Sequence, residues 1–523
     1  MKLIKALFGR TALTIFAILL QLLISIALIW LIDIIVTSLI GNIRGIGPYM
    51  LSTIIMTAID IVIAAITTVR IVIRDMSPDE KMSWLVVLVF APIIGSLLYL
   101  FFSHPYLSRR RMLLHMDIRA RSAKYYACKD DCADVLGDRL RSSKFIYEAA
   151  GAAPYKYSDV KYLPSGEAFF EQLKQELEKA RKHIFMEYFI IERGKMWDEI
   201  ESILVRKVSE GVVVKVMYDD IGNLTHAKRG FWKELRKKGI ECLRFNPLRP
   251  VMSAIYNNRD HRKITVIDGV TAFVGGVNLA DDYINETHRL GEWKDCAVMV
   301  RGAAVRSLSI MFLTAYDSQD DKQLENYDEY FPEFYEYFDE EGIVQPFADG
   351  PRPLYPTHVA ENVILDIIDG AKKYVYITTP YLIINHNLIT ALCRAAISGV
   401  DVRIVTPRIP DKKIVFWITR RNYKKLLRSG VRIYEFVPGF VHAKTYLSDD
   451  EVGMVGTVNM DYRSLVHHYE CGVWMYKTSC LKDIKADHEK LFTECEEMTL
   501  ETARQSVPKR VVSAIGSLFA PML

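Results

Sequence analysis

The sequence predicts an α/β protein made of two similar halves behind an N-terminal helical membrane region. Three observations support this fold class. Apolar residues are concentrated at the start of the chain, strand and helix patterns alternate afterwards, and one strand–helix–strand order occurs twice. The 523 residues have room for about three domains. We place the membrane region at 1–108, the first α/β domain with an acidic linker at 109–342, and the second α/β domain at 343–523.

The composition excludes several classes of protein. Lys and Arg number 67 and Asp and Glu 63, a net charge of +4, which fits neither a strongly basic nucleic-acid protein nor an acidic disordered chain. Hydrophobic residues make up 50%, as in folded proteins, and the mean hydropathy of +0.09 is high for a soluble enzyme. Eight cysteines without a C-x-x-C pair exclude a disulfide scaffold and a zinc ribbon.

Three apolar stretches are candidate membrane spans, namely Thr11–Ile32, Leu51–Ile73 and Met82–Phe102. A cleaved signal peptide is the alternative for the first stretch, which is longer than usual for one and lacks a small-residue cleavage site. Asp60 makes an interfacial helix the alternative for the second. Basic clusters precede the first stretch and follow the third, so the positive-inside rule requires an even number of crossings. We expect two or three membrane helices, with the catalytic domains on the cytoplasmic side.

Each half contains alternating strand and helix patterns. The first half has predicted helices and strands in the order Leu173–Lys182, His183–Ile191, Trp197–Val208 and Val212–Tyr218. The second half repeats this order with strand Lys373–Tyr381, helix Leu388–Ser398 and strand Val400–Thr406. Units of this kind predict parallel pairing of their strands.

Two segments outside the repeat each have two interpretations. Asp320–Glu341, dense in acidic and aromatic residues, is either an acidic docking surface or a solvated linker held by its aromatic side chains. Val507–Leu523 is weakly amphipathic, and it either contacts the bilayer or packs on the catalytic domains.

Both halves carry the motif H-x-K-x-x-x-x-D followed by G-x-x-N. The motif residues are His261, Lys263, Asp268, Gly275 and Asn278 in the first half, and His442, Lys444, Asp449, Gly456 and Asn459 in the second. All five pairs are 181 positions apart. With Lys and Asp each at roughly 5% of residues, the histidines would give about 0.03 accidental matches. Two complete matches at one offset therefore indicate a functional repeat.

The spacing indicates phosphate chemistry. Positions i and i+2 of a strand share a face, so each motif histidine lies beside its lysine, and the G-x-x-N turn returns an amide to the same pocket. Two facing copies would bring two histidines, two lysines and two asparagines together. Ammonium and amide donors suit a phosphate, and a histidine pair suits nucleophilic attack with general acid–base catalysis. A metal site is disfavoured because carboxylate clusters are missing from the motif.

These paired motifs resemble the phospholipase D superfamily, and longer segments resemble the bacterial cardiolipin synthase family. The similar segments are Asn258–Lys263, Gly275–Asn278, Trp293–Asp295, Val441–Lys444, Gly456–Asn459 and Asp461–Ser464. Ser77–Phe102 is similar to that family's last membrane segment, and the stretch before residue 50 departs from its common two-span pattern. The resemblance implies two pseudo-symmetric domains, each a mixed sheet flanked by helices.

The resemblance implies transfer of a phosphatidyl group from one phosphatidylglycerol to another, giving cardiolipin and glycerol in a bacterial cell membrane. One motif histidine would form a phosphatidyl-histidine and the other would protonate the leaving glycerol. We assign attack to His261 and protonation to His442, and the symmetry of the repeat leaves the reverse open. The residues expected to hold the phosphate are Lys263, Lys444, Asn278 and Asn459. No metal, nucleotide or nucleic acid is implied, and the oligomeric state stays open.

The resemblance also implies roles for four carboxylates. Asp295 and Glu470 match the acids that hydrogen-bond the motif histidines and fix their tautomer. Asp268 and Asp449 belong to the catalytic motif, yet we expect structural ion pairs for them rather than substrate contact.

Several other residues have alternative interpretations. His467 and His468 have no counterpart in the first half, and we expect surface or loop roles for them. Cys296 and Cys471 are expected to be small buried strand residues. Arg463 and Ser464 either help to bind a headgroup or stabilise a turn.

Other functions are compatible with the motifs. A phosphodiesterase of the same superfamily would use water instead of an alcohol as acceptor, and the choice depends on water exclusion. A nuclease would gain from a basic groove, which the balanced charge disfavours. A membrane-anchored phospholipase therefore stays open, whereas an inactive scaffold is disfavoured because both motifs are complete.

Overall fold

The computed structural model describes residues 48–103, 109–126, 132–228, 230–248, 257–355 and 357–522, together with Trp30, Ile34 and Ser38. The chain divides into two compact units. The first contains 1–105, 248–257 and 518–523, and the second contains 106–247 and 258–517. Apart from Trp30, the predicted stretch Thr11–Ile32 lies outside the described residues.

From residue 48 onwards, the described part of the first unit contains the helices α1 (Pro48–Ile73), α2 (Pro78–Phe90) and α3 (Pro92–Phe102). A capping box begins α2: Glu80 N donates to Ser77 Oγ, and the Glu80 carboxylate accepts from Ser77 N. The stretch Met82–Phe102 forms two helices rather than one, because Pro92 cannot continue the hydrogen-bond ladder of α2.

Among the described helices, none is both long enough and apolar enough to cross a bilayer.

The second unit contains two mixed sheets. The first has seven strands in the order β1-β8-β6-β5-β2-β3-β4, with β1 (Asp159–Leu163), β2 (His183–Tyr188), β3 (Val213–Asp219), β4 (Glu241–Phe245), β5 (Ile264–Ile267), β6 (Thr271–Gly275) and β8 (Ala297–Arg301). The second has eight strands in the order β19-β13-β12-β10-β15-β16-β18-β9, with β9 (Ile343–Asp349), β10 (Tyr374–Thr378), β12 (Asp401–Pro407), β13 (Arg432–Phe436), β15 (Thr445–Ser448), β16 (Val452–Gly456), β18 (Glu470–Tyr476) and β19 (Cys495–Glu497).

The expectation of parallel pairing is correct for only part of each sheet. The strands joined by helices, β2-β3-β4 and β10-β12-β13, pair in parallel. The motif-bearing strands are joined by tight turns instead, so β5-β6 and β15-β16 are antiparallel hairpins. Two short ribbons complete the pairing, β7 (Glu292–Lys294) with β14 (Gly439–Val441) and β11 (Leu382–Ile383) with β17 (Met460–Asp461).

Helices cover the sheets. They are α4 (Arg109–Ser122), α5 (Ala133–Leu136), α6 (Leu140–Ala150), α7 (Gly166–Lys179), α8 (Lys195–Ser209), α9 (Phe231–Lys237), α10 (Val305–Asp317), α11 (Val359–Asp369), α12 (His386–Ile397), α13 (Lys413–Arg428), α14 (Leu481–Thr493) and α15 (Val507–Phe519). The predicted helices and strands of both repeats are present, with ends shifted by a few residues.

One core joins the two sheets. Its buried apolar side chains come from the first sheet, as with Ile264 and Val298, and from the second, as with Val455 and Val473. Helix α10 is buried along most of its length in this core. The two halves therefore form one folded body within the second unit, so motif residues from both can meet.

The acidic segment between the halves is held by its aromatic residues. Tyr327 and Tyr330 are buried in the shared core, and the Tyr327 hydroxyl donates to Asp317 Oδ2 at 2.8 Å. Phe334 and Tyr337 are exposed. This arrangement matches the interpretation of the segment as a linker.

Candidate active site

Each motif histidine lies just before a hairpin strand. His261 and Lys263 precede β5, and His442 and Lys444 lie between β14 and β15. The sequence placed these residues on the strand, whereas the strand begins one residue after each lysine. All four side chains are nearly or completely buried.

One cavity of about 510 Å³ is lined by both motif histidines, His261 and His442, and by both motif asparagines, Asn278 and Asn459. A single phosphodiester headgroup can therefore reach all four side chains. The volume is in the usual range for a small-molecule site.

The histidine–carboxylate pairs cross between the halves. His261 Nδ1 lies 2.9 Å from Glu470 Oε1, and His442 Nδ1 lies 2.7 Å from Asp295 Oδ2. The first-half histidine thus uses the second-half acid, and the second-half histidine uses the first-half acid. In each pair the carboxylate accepts the Nδ1 proton, so Nε2 is the nitrogen with a free lone pair.

Backbone hydrogen bonds cross in the same way. His261 N donates to Tyr469 O at 2.9 Å, and His442 N donates to Lys294 O at 2.7 Å. Tyr469 and Lys294 directly precede the two acids. Each histidine backbone is therefore fixed to the strand that supplies its carboxylate.

The two acids differ in their surroundings. A Cβ atom at Gly276 would lie 2.1 Å from Asp295 Oδ1, so glycine leaves room for that carboxylate. At the matching position of the second half, the Thr457 hydroxyl donates to Glu470 Oε2, and Ser464 Oγ donates to Glu470 Oε1 at 2.6 Å. The Ser464 contact supports its turn-stabilising interpretation and also fixes a functional acid.

The lysines lie beneath the histidines. Lys263 Nζ donates to His261 O at 2.6 Å, and Lys444 Nζ makes the same bond to His442 O. Burial lowers the pKa of Lys263 to about 8 and that of Lys444 to about 7. The sequence suggested lysines aimed directly at a phosphate, whereas neither contributes to the cavity lining among the described residues.

Burial and the neighbouring lysines also affect the imidazoles. The pKa of His261 is well below its ordinary value because of burial and then Lys263. Burial and Lys444 lower the pKa of His442 to about 4, although Asp295 opposes the shift. Burial raises the pKa of Asp295, but His442 and Lys444 outweigh it, so this acid is ionised. Neutral imidazoles beside an ionised carboxylate suit nucleophilic and proton-transfer roles.

The two asparagines are bound differently. Asn278 Oδ1 accepts from Ile190 N at 3.0 Å, and its amide donates to the Tyr283 hydroxyl at 2.6 Å. Asn459 Oδ1 is buried without a hydrogen-bond partner among the described residues. The amide of Asn459 is thus the less constrained of the two cavity amides.

The motif aspartates hold turns instead of forming the expected ion pairs. Asp268 accepts backbone N–H groups from Arg181, Lys182 and His183 at 2.7–2.8 Å. Asp449 accepts the equivalent groups of Lys372, Lys373 and Tyr374 at 2.6–2.8 Å. Both have positive φ angles, near 52° and 56°. Neither lines the cavity, so the structure favours a structural role over the catalytic motif role.

His468 is the site residue that the sequence analysis missed. It is buried, lines the cavity, and its ring centroid lies 5.2 Å from that of His261. Its Nδ1 is 3.6 Å from Glu470 Oε1. His467 is buried as well, so the surface alternative is wrong for both, whereas His468 does lie in the loop before β18. The only available signal was proximity to Glu470 in sequence.

Three of the described residues lie close enough together to hold a metal ion. Ligand atoms of His261, His468 and Glu470 lie within 4.8 Å of one another. Lys263 and Lys444 place two further positive groups close to His261, and their charge opposes a metal ion there. The donor set therefore fits a histidine–carboxylate pair better than a metal centre.

The two cysteines beside the acids match their expected role. Cys296 and Cys471 are both completely buried in the shared core. Burial raises the pKa of each thiol to about 12, so both are neutral packing residues.

Comparison with known proteins agrees with this geometry. The family described as "Cardiolipin synthase, PLD-like domain" matches residues 173–290 and 364–494, and the "Phospholipase_D-nuclease N-terminal" family matches 59–103. A cardiolipin synthase of Geobacillus sp. (strain WCH70) is 34% identical over 457 residues, covering 86% of this chain and 90% of that protein. Cardiolipin synthase 2 of Bacillus anthracis is 31% identical, covering 87% of this chain and 88% of that protein.

A solved structure shares the fold. The crystal structure of phosphatidylserine synthase from Haemophilus influenzae Rd KW20 aligns with a TM-score of 0.56 at 15% identity, covering 72% of this chain and 97% of that one. The matched domains and the relatives that align along most of their length establish the family. The chain belongs to the cardiolipin synthase family of phospholipase D-like enzymes.

Proposed function

We propose that the protein transfers a phosphatidyl group from one phosphatidylglycerol to the headgroup hydroxyl of another, giving cardiolipin and glycerol. The observation that carries this proposal is one cavity lined by two histidines, each oriented by a carboxylate from the other half. Family membership supports the same reaction class, a phosphatidyltransferase.

His261 is the nucleophile in this scheme. A nucleophilic imidazole must be neutral, and burial with Lys263 keeps the pKa of His261 well below its ordinary value. Glu470 accepts a hydrogen bond from His261 Nδ1, so the unprotonated Nε2 is the atom that attacks phosphorus. A nitrogen–phosphorus bond forms as the bond from phosphorus to the glycerol oxygen breaks.

His442 is the proton carrier. It starts the first step as an imidazolium whose charge is compensated by Asp295 at 2.7 Å, and it becomes neutral as it gives its proton to the departing glycerol oxygen. The bound phosphodiester anion raises the pKa of His442 from its value in the free site. In the second step neutral His442 accepts the proton of the incoming hydroxyl, whose oxygen displaces His261 from phosphorus.

Lysine charges and asparagine donors stabilise the charge that develops on the phosphate. Each ammonium is bound to the carbonyl of a motif histidine just outside the cavity lining, so it acts on the phosphate through its positive charge and not through a direct bond. The amides of Asn278 and Asn459 come from the cavity wall. These groups are fixed before substrate arrives, which is how oxyanion stabilisation lowers a barrier.

The bilayer of a bacterial cell is the proposed location. The apolar composition of residues 1–108 and the similarity of 59–103 to a phospholipase D N-terminal family support it. A multi-pass topology with the catalytic domains on the cytoplasmic side is part of this proposal, resting on the basic clusters that flank the apolar stretches.

The test is incubation of the purified chain with phosphatidylglycerol labelled in the glycerol headgroup. Cardiolipin and free labelled glycerol in equal amounts are expected. Phosphatidic acid with free glycerol and no cardiolipin would favour a phospholipase instead.

Activity is expected to survive excess EDTA, and a requirement for added divalent metal would contradict the lysine-based phosphate site.

A further inference from the structure

A strongly basic groove of about 890 Å³ lies between α13 and the C-terminal segment, away from the catalytic cavity. Its cationic lining residues are Arg420, Arg421, Lys424, Lys425, Arg428, Arg504 and Arg510. Arg420 pairs with Glu435. None of the described residues that line the groove is a carboxylate. The other six cations therefore give the groove a local charge that exceeds the net charge of +4 of the whole chain.

Four of these cations form one stripe on α13. Arg421, Lys424, Lys425 and Arg428 follow the spacing i, i+3, i+4, i+7, which places them on one helix face, and all four are exposed. Like charges at this spacing repel one another and weaken the helix. An anionic partner would relieve this repulsion.

An apolar stripe lies on α15, the helix whose Arg510 and Ser513 line the groove. Val507, Val511 and Ile515 are four residues apart on α15 and are 69%, 53% and 55% exposed. Leu500 lines the groove and is also half exposed. The opposite face of α15 is occupied, because Ser513 is buried and Gly516 packs against Ile418. One face of this segment therefore packs on the domain, as one interpretation expected, and the other face is exposed.

The basic stripe together with the apolar stripe favours a bilayer over a nucleic acid as the anionic partner. Single-stranded nucleic acid would be expected to use cations interleaved with stacking aromatic rings, and the exposed side chains here are aliphatic. A bilayer with anionic lipids presents phosphates above acyl chains, which matches a basic stripe and an aliphatic stripe on the two helices that line one groove.

We propose that this surface docks on the anionic face of a bilayer. Lipid phosphates bind the stripe Arg421, Lys424, Lys425 and Arg428, and the stripe Val507, Val511 and Ile515 inserts among the acyl chains. The proposal goes beyond phosphatidyl transfer, because none of these residues lines the catalytic cavity.

The experiment uses the full chain in neutral detergent with His261→Ala, which prevents turnover. An environment-sensitive fluorophore is attached at Val511→Cys after Cys128 and Cys495 are replaced by serine. The probe is mixed with phosphatidylcholine vesicles with or without phosphatidylglycerol. Blue-shifted emission is expected with phosphatidylglycerol, and it should weaken as salt is added.

The decisive variant replaces Arg421, Lys424, Lys425 and Arg428 by glutamine. Because each basic residue near an anionic surface contributes about a factor of five, its affinity for the anionic vesicles should fall at least tenfold. The matched control replaces four exposed lysines elsewhere by glutamine, namely Lys144, Lys233, Lys237 and Lys482. Its affinity for the anionic vesicles should equal that of the parent. An unchanged thermal midpoint shows that each variant is folded.

Any one of three results would overturn the proposal. The first is an equal emission shift with neutral vesicles, and the second is a stripe variant that binds as tightly as its parent. The third is a control variant that loses as much affinity as the stripe variant. A fourth result, tight binding of duplex DNA through the stripe with no emission shift on vesicles, would assign the groove to nucleic acid instead. None of these outcomes depends on the transfer reaction.

Discussion

The charge of the catalytic site depends on two buried lysines. Lys263 and Lys444 each lie beneath a motif histidine, and burial lowers their pKa values to about 8 and about 7. Their positive charge helps to keep both imidazoles neutral. The same residues must be protonated to stabilise a phosphate, so the free site loses its cations as pH rises through these values.

This leads to a prediction for the pH profile. Since kcat/KM reports the free enzyme, and His442 with a pKa of about 4 must be protonated to act as the acid, kcat/KM should already decline as pH rises above that value. The decline should become steeper from about pH 7 to about pH 9, as Lys444 and then Lys263 lose their protons. No acidic limb is expected near the ordinary imidazole value of about 6.5, because both histidines have lowered pKa values. A profile that rises across the alkaline range would contradict these roles.

His468 is expected to act as a positioning residue. It lies beside both Glu470 and His261, and burial lowers its pKa to about 3, so it is neutral. We predict that His468→Ala lowers kcat by about ten- to a hundredfold with little change in KM, since the Glu470–His261 pair loses its lateral support. His468→Asn should recover part of the activity. Exposed His386→Ala is the control, and equal losses in both would contradict this role.

At the scale of elements, the repeated hairpins are held by the motif aspartates. Asp268 and Asp449 each accept three backbone N–H groups at the start of the neighbouring strands β2 and β10. The hairpin and the strand beside it therefore form one rigid support for the preceding histidine. This function explains why an acid belongs to the motif although it lies outside the cavity.

Removal of either aspartate should mainly affect stability. Asp268→Ala and Asp449→Ala are each expected to lower the free energy of unfolding by about 1–3 kcal/mol, because three backbone N–H groups lose a charged acceptor. Asn at the same positions tolerates the positive φ and keeps one acceptor, so it should cost less. Denaturant unfolding measures the difference. Loss of activity without loss of stability would instead indicate a direct catalytic role.

Several elements were predictable from sequence and others were not. The periodicity located the helices and strands of both repeats, and the motif located His261 and His442. The crossed pairing of these histidines with Glu470 and Asp295 depends on how the halves face each other, which local spacing does not encode. The burial of His468 depends on the same interface. The antiparallel hairpins were missed because tight turns, not helices, connect them.

At the scale of the whole molecule, one chain supplies both histidine–carboxylate pairs of the proposed active site. Both crossed pairs, His261 with Glu470 and His442 with Asp295, form within a single copy, and the shared core fixes the two halves together. The repeat thus builds a site at its own pseudo-symmetric interface. The motif histidine of each half is oriented by a carboxylate that the other half supplies.

Mixing experiments follow from this arrangement. His261→Ala and His442→Ala should each lower activity at least about a thousandfold. Co-expression of the two variants in one cell should not restore it, because no chain then holds both histidines. Recovery to a sizeable fraction of normal activity would contradict an intrachain site.

The most direct test of the central claim uses phosphatidyl-nitrophenol, whose leaving group needs no protonation. In His442→Ala, His261 should still attack, while the missing proton carrier slows release of the phosphatidyl group. We predict one equivalent of nitrophenol per chain in a rapid burst, and a phosphatidyl adduct on His261 in the peptide map. His261→Ala should give neither. An adduct on His442 in the unmodified enzyme, or no adduct on any histidine, would contradict the account.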